Sequence, residues 1–176
     1  MRSAADPNAS RLARVGLLVA LAAAVQAFES LIPLPVPWFR LGLGNALILV
    51  ALHLWGAKEG IWVALGKVFV GSLLSGRLLS PAFALSLSGT AAATLVMVLA
   101  LRVPIPLGFV GVSALGAEAH VLAQLAVASA WLLRAPALWG LAPVLGTLAV
   151  ASGVVTGLVA HGIARAIEDP ATAPTA

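Results

Sequence analysis

Residues 11–32 read RLARVGLLVALAAAVQAFESLI, and the fold turns on whether this run crosses a bilayer or is cut away. Arg11 and Arg14 open it, and small residues such as Ala22 and Ala24 offer what a signal-peptide cleavage site needs. A cleavable leader, however, has an apolar stretch of only about 7–15 residues. Here the apolar character persists to Ile32 and supplies the roughly 20 residues that a span requires. The run therefore reads as a first transmembrane helix, with a leader peptide as the alternative.

The rest of the chain agrees with a span. The composition is 61% hydrophobic and 9% charged, with a mean hydropathy of +1.08, whereas a soluble domain carries about 25% charged residues. Cysteine is absent, which excludes disulfides, thiol chemistry and iron–sulfur ligation by this chain. A net charge of +4 would suggest nucleic acid in a soluble protein. Scattered between apolar runs, the ten basic residues read instead as topology signals, and nucleic acid is not an expected partner.

Helix breakers and charges divide the chain into six expected helices at residues 11–32, 39–55, 59–75, 82–101, 108–133 and 138–164. The expected fold is an all-α integral membrane protein of six transmembrane helices, with antiparallel sequential neighbours because the joints are short. One side collects Arg2, Arg11, Arg14, Lys58, Arg102 and Arg165, and the other Arg40, Arg77 and Arg134. The richer side marks the cytoplasm, so both termini are expected inside. Residues 1–10 form an N-terminal tail, 11–164 the membrane domain, and 165–176 a Pro/Ala/Thr-rich tail expected to be disordered.

Polar groups at membrane depth are costly, so they face a cavity or one another. Lys67 and Glu118 fall at similar depth in the third and fifth helices, either as a structural ion pair or with Lys67 in a functional role. His120 and Gln124, at i and i+4, share one face of the fifth helix and suggest a cavity lining. Ser86, Ser88 and Thr90 are weaker signals, since hydroxyls often bond their own helix's carbonyls. His53 and His161 read as interfacial. The stretch 29–45, ESLIPLPVPWFRLGLGN, reads either as a proline-stiffened lid that turns Arg40 and Asn45 toward what it covers, or as an interfacial anchor. Small residues at four-residue spacing, Ala20 with Ala24, Ala23 with Ala27, Gly42 with Ala46, Ala119 with Ala123 and Gly153 with Gly157, suit close helix packing within the chain or against a partner.

Catalytic machinery is hard to find. The only aspartates are Asp6 and Asp169, both in the tails, so no aspartate-rich magnesium site can be assembled. Residues 60–68 fail the nucleotide-loop spacing and lack its hydroxyl. No metal-ligand cluster, cofactor motif or catalytic set is expected. Uphill movement of a solute would need a partner ATPase or an ion gradient.

Several blocks in order, ESLIPLP (29–35), RLGLGN (40–45), GSLLSG (71–76), SLSG (86–89), GVSALGA (111–117), His120 with Gln124, and SGVVTG (152–157), closely resemble the Gx transporter family. That family is also labelled heptaprenyl diphosphate synthase component I and is similar to the substrate-binding S components of energy-coupling factor transporters. The resemblance implies an S-component-like bundle that takes a small, vitamin- or cofactor-like solute from the outer side, and Arg40, Arg77 and Arg134 on that side favour an anion. The resemblance places substrate at the outer loop and the outer halves of the later helices, and with the polar residues above the expected substrate site is Glu29, Arg40, Asn45, Lys67, Arg77, Ser86, His120 and Gln124. Its partners would be a transmembrane coupling subunit, docked on Ala20 and Ala24, and ATPases on other chains. The alternative is a non-transporting membrane subunit associated with prenyl-quinone synthesis or flavin/quinone-linked electron transfer.

Overall fold

The computed structural model describes residues 7–29, 31, 42–105 and 107–169. Six α-helices follow one another, with no strand among the described residues: α1 (Pro7–Glu29), α2 (Gly44–Leu54), α3 (Ala57–Leu74), α4 (Pro81–Ala100), α5 (Phe109–Val127) and α6 (Ala142–Glu168). Helix α1 begins four residues before the expected start and ends at Glu29 rather than Ile32. Helix α6 continues past the expected Ala164 to Glu168, so the first residues assigned to the tail are helical. Helix α5 runs on as a π turn, Ala128–Leu132, and a 3-10 turn, Pro136–Leu141, occupies the expected start of the sixth helix. Pro136 and Pro143 explain that start, since proline lacks the N–H that an α-helical interior needs yet fits a first turn.

Among the described residues, four helical stretches are long and apolar enough to cross a membrane: Asn8–Glu29, Pro81–Ala100, Phe109–Leu132 and Pro136–Glu168. The chain is a multi-pass membrane protein. Helix α3 has 18 residues but carries Lys58, Glu59 and Lys67, and α2 has only 11. Helix α2 is instead the most enclosed element. Gly44 and residues 46–52 are all buried, and α1, α3, α4, α5 and α6 each pack against it. A helix apolar all round belongs in such a centre.

Residues on the outside of the bundle are large and apolar, as lipid-facing positions should be. Leu17, Leu21 and Phe28 on α1, Trp62 and Leu73 on α3, and Leu95 and Leu99 on α4 all lie exposed. With no hydrophobic drive between helices in lipid, close approach must come from small residues. Helix α6 does this against α5. A Cβ on Gly153 would lie 2.6 Å from the Ala114 Cα, and one on Gly157 2.6 Å from the Val110 Cα. This expected small-residue pair thus packs within the chain.

The two ends of the bundle differ. At one end Arg11 of α1 bonds Glu59 of α3 at 2.6 Å, and the Arg14 guanidinium lies over Trp55 at 5.4 Å. There too the Phe109 ring sits between His53, at 4.5 Å, and His161, at 5.3 Å. At the other end, α1 stops at Glu29, α2 starts beside Asn45, and α3 turns into α4 around Arg77. That second end holds the site.

Candidate functional site

Each helix brings polar side chains to one cavity by its own periodicity. Gln26 and Glu29 sit one turn apart at the end of α1, and Ser113, Gly116, Ala117, His120 and Gln124 form one stripe of α5. On α4 the wall is Ala82, Leu85, Ser86, Ala93 and Met97, and on α6 it is Ala149, Ser152 and Thr156. Asn45, Lys67 and Arg77 complete it from α2, α3 and the following turn. The empty space, its open mouth included, is about 970 Å³.

Seven of the eight residues expected at a substrate site, Glu29, Asn45, Lys67, Arg77, Ser86, His120 and Gln124, line this one space. Arg40 lies outside the described residues, as does the proline-rich stretch expected to form the lid. Gln26, Ser113, Ser152 and Thr156 also line it and were missed in the sequence, although their spacing carried the signal. Gln26 precedes Glu29 by three, Ser113 precedes His120 by seven, and Ser152 precedes Thr156 by four, each a same-face interval on a helix.

The polar groups hold one another. Lys67, 5% exposed, donates from Nζ to the Asn45 Oδ1. Glu29, 7% exposed, accepts the Leu43 N–H at 2.8 Å and so caps the start of α2 from the end of α1. A carboxylate there satisfies an orphan donor and complements the positive end of the helix dipole. Arg77 owes its position to a pinned backbone: its N–H donates to the Ser72 carbonyl at 2.8 Å, and its carbonyl accepts from the Ser80 N–H at 3.1 Å and hydroxyl at 2.6 Å. Gly76, at φ +63°, adopts the left-handed conformation that this reversal requires. Ser80 then caps α4 by accepting from the Phe83 N–H at 3.3 Å, ahead of Pro81.

The Lys67–Glu118 pair considered from the sequence does not form. Glu118 turns to α6, where its Oε1 stands 2.8 Å from where a Cβ on Gly146 would be. Its Oε2 is buried without a hydrogen bond. Ser88 donates to its own helix's Leu85 carbonyl at 3.1 Å, the local bond expected of a hydroxyl there. No group of three His, Cys, Asp or Glu that could hold a metal occurs among the described residues. Among the described residues the lining carries one carboxylate, Glu29, against two cations, Lys67 and Arg77, a balance that attracts negative charge.

Gly89 sets how closely α4 approaches the α5 stripe. A Cβ there would stand 2.7 Å from the His120 Nε2 and 2.9 Å from the Gln124 Cγ. Gly89→Ala is therefore expected to turn the His120 ring, moving its imidazole NMR resonances. Gly108→Ala, where a Cβ meets nothing within 4 Å, should leave them in place; equal shifts in both variants would refute the contact.

Among curated proteins and solved structures nothing matches the chain. The sequence model of one family, described as heptaprenyl diphosphate synthase component I, matches residues 18–163. That span begins inside α1, ends inside α6 and contains every cavity-lining residue named above. With most of its length matched, the chain belongs to the heptaprenyl diphosphate synthase component I family, also called the Gx transporter family.

Proposed function

We propose that this protein is a ligand-capturing membrane subunit of an uptake system, resembling the S components of energy-coupling factor transporters. The observation that carries the reading is the convergence of Glu29, Asn45, Lys67, Arg77, Ser86, His120 and Gln124 on one cavity. Each of these side chains is expensive to place in lipid, and a membrane chain that gathers them around empty space has a polar solute to hold. In this reading all six helices span or embed in the membrane, both termini are cytoplasmic, and the cavity opens outward. The solute is a small anion of the vitamin or cofactor kind. The chain is not itself an enzyme, and movement of the solute is driven by a transmembrane coupling subunit and ATPases on other chains. Ala20 and Ala24 lie exposed on α1 beside Leu17 and Leu21, a close-approach surface for that coupling subunit.

The test is equilibrium binding to the purified protein with flavins, other vitamins and isoprenoid diphosphates. Saturable binding of one of them that falls at least tenfold in Arg40→Ala and His120→Ala is the expected result; unchanged affinity in both variants would overturn the site. The family's description favours a second reading, a non-transporting subunit beside prenyl-quinone synthesis, to which the flavin/quinone-linked electron-transfer alternative is joined. It predicts that affinity purification brings down redox or prenyl-transfer proteins and no ATPase.

A further inference from the structure

The cavity is graded along its length. Its ionic groups gather toward one pole: Glu29 ends α1, Arg77 precedes α4, and Lys67 of α3 bonds Asn45 at the start of α2. From Ala82 at that pole to Met97 at the other, the α4 wall extends about 22 Å at the helical rise per residue. Along it the apolar part of the wall is Leu85, Ala93, Met97, Gly116, Ala117, Val121 and Ala149, interrupted by the hydroxyls of Ser113, Ser152 and Thr156 and by His120 and Gln124. No phenylalanine, tryptophan or tyrosine among the described residues lines the space. A flat aromatic ligand draws specific stabilisation from stacked or edge-on rings. Among the described residues the one ring on these walls is the His120 imidazole, whereas the alanines, glycine, leucine, methionine and valine suit an aliphatic body that gains by area buried.

The polar pole adds a seat for an acid group. A smaller recess lined by Gln26, Ser72, Ser75, Arg77, Ala82 and Ser86 shares four of these residues, Gln26, Arg77, Ala82 and Ser86, with the cavity. Gln26 and Ser72 are each 4% exposed, and Arg77, exposed and pinned through its backbone, faces both spaces. A guanidinium flanked by an amide and hydroxyls is a donor set for an oxyanion.

Resting on the capture reading above, we infer that the ligand is an aliphatic acid, with its carboxylate or phosphate on Arg77 and Gln26 and its chain along Leu85, Ala93 and Met97. The test uses the full chain in phosphatidylcholine nanodiscs with radiolabelled octanoate. Hexanoate, decanoate, octyl phosphate, octanol and 2-naphthoate compete. Saturable one-to-one binding is expected, tightening roughly fourfold per added methylene, with octyl phosphate equal or tighter and octanol and 2-naphthoate at least tenfold weaker. Arg77→Gln should weaken the acids about tenfold and leave octanol unchanged. Alkyl chains also dissolve in lipid, so Ala82→Trp, at the mouth and on the first turn of α4, must remove the saturable component.

If 2-naphthoate or a flavin outcompetes octanoate while Ala82→Trp still blocks binding, the aliphatic assignment is wrong and the capture reading stands. Acids unmoved by Arg77→Gln overturn the seat. If no probe, the vitamins included, shows binding sensitive to Ala82→Trp, the capture reading falls with it. Displacement of octanoate by phosphatidylglycerol in the disc supports the aliphatic anion and assigns its source to the bilayer.

Discussion

Gly157→Leu is expected to cost the bundle more than any change in the cavity, because α5 and α6 meet there through backbone. The atoms a Cβ would strike are the Val110 Cα at 2.6 Å, the Phe109 carbonyl oxygen at 2.9 Å and the Val110 nitrogen at 3.0 Å. None of these is the movable tip of a flexible side chain. The two helices must part, and the contacts they lose run along the most extensively packed pair in the molecule. Overpacking typically costs about 1–3 kcal/mol, and a leucine against backbone belongs at or beyond the upper end. Gly162, five residues further along α6, has nothing within 4 Å of its Cβ position. There alanine is expected to stabilise by up to about 1 kcal/mol through helix propensity alone. The same substitution should thus have opposite signs at two glycines of one helix: Gly157→Ala lowers the unfolding midpoint and Gly162→Ala raises it or leaves it level. Thermal unfolding in detergent, followed by tryptophan fluorescence, reads both. Equal midpoints for Gly157→Leu and Gly162→Leu would refute the close α5–α6 crossing.

This crossing was legible in the sequence because Gly153 and Gly157 form a spacing with a mechanism, and lipid leaves few other ways to join helices. The polar stripe of α5 was legible for a related reason: His120 and Gln124 are conspicuous in an apolar helix. Serines and threonines are not. Ser113, Ser152 and Thr156 went unnoticed because a hydroxyl in a membrane helix has its own backbone to bond, as Ser88 does, and only the fold says which ones face a void. Glu118 shows the opposite limit. Its depth matched that of Lys67, but depth fixes only one coordinate, and the helix phase turns Glu118 to Gly146. The ends of α6 escaped as well. Pro136 and Pro143 shift its opening turn into a 3-10 segment, and nothing between Ala164 and Glu168 breaks the helix where apolar character fades.

Lys67→Met should separate what Lys67 does for a ligand from what it does for the fold. The ammonium is 5% exposed and donates to Asn45, whose helix begins at the position that Glu29 caps. The lysine therefore fixes the amide that faces the cavity and supplies one of the two cations balanced against Glu29. Methionine retains much of the length and fills the same apolar stem volume, next to Gly44, where a Cβ would already lie 3.3 Å from the Lys67 Cε. What it removes is the charge and the hydrogen bond. A hydrogen bond from that ammonium to an anionic ligand contributes about 1.5–3 kcal/mol, so losing it corresponds to roughly 10-fold to 150-fold in affinity. Lys67→Arg keeps the charge and adds a planar fork of donors, so it should retain most of the binding. The discriminating measurement pairs ligand titration with thermal unfolding on both variants. Loss of affinity in Lys67→Met with recovery in Lys67→Arg, at similar unfolding midpoints, is the expected pattern. A common drop in midpoint with no change in affinity would make Lys67 a structural tie between α2 and α3, and the cavity's attraction for anions would then rest on Arg77 among the described residues.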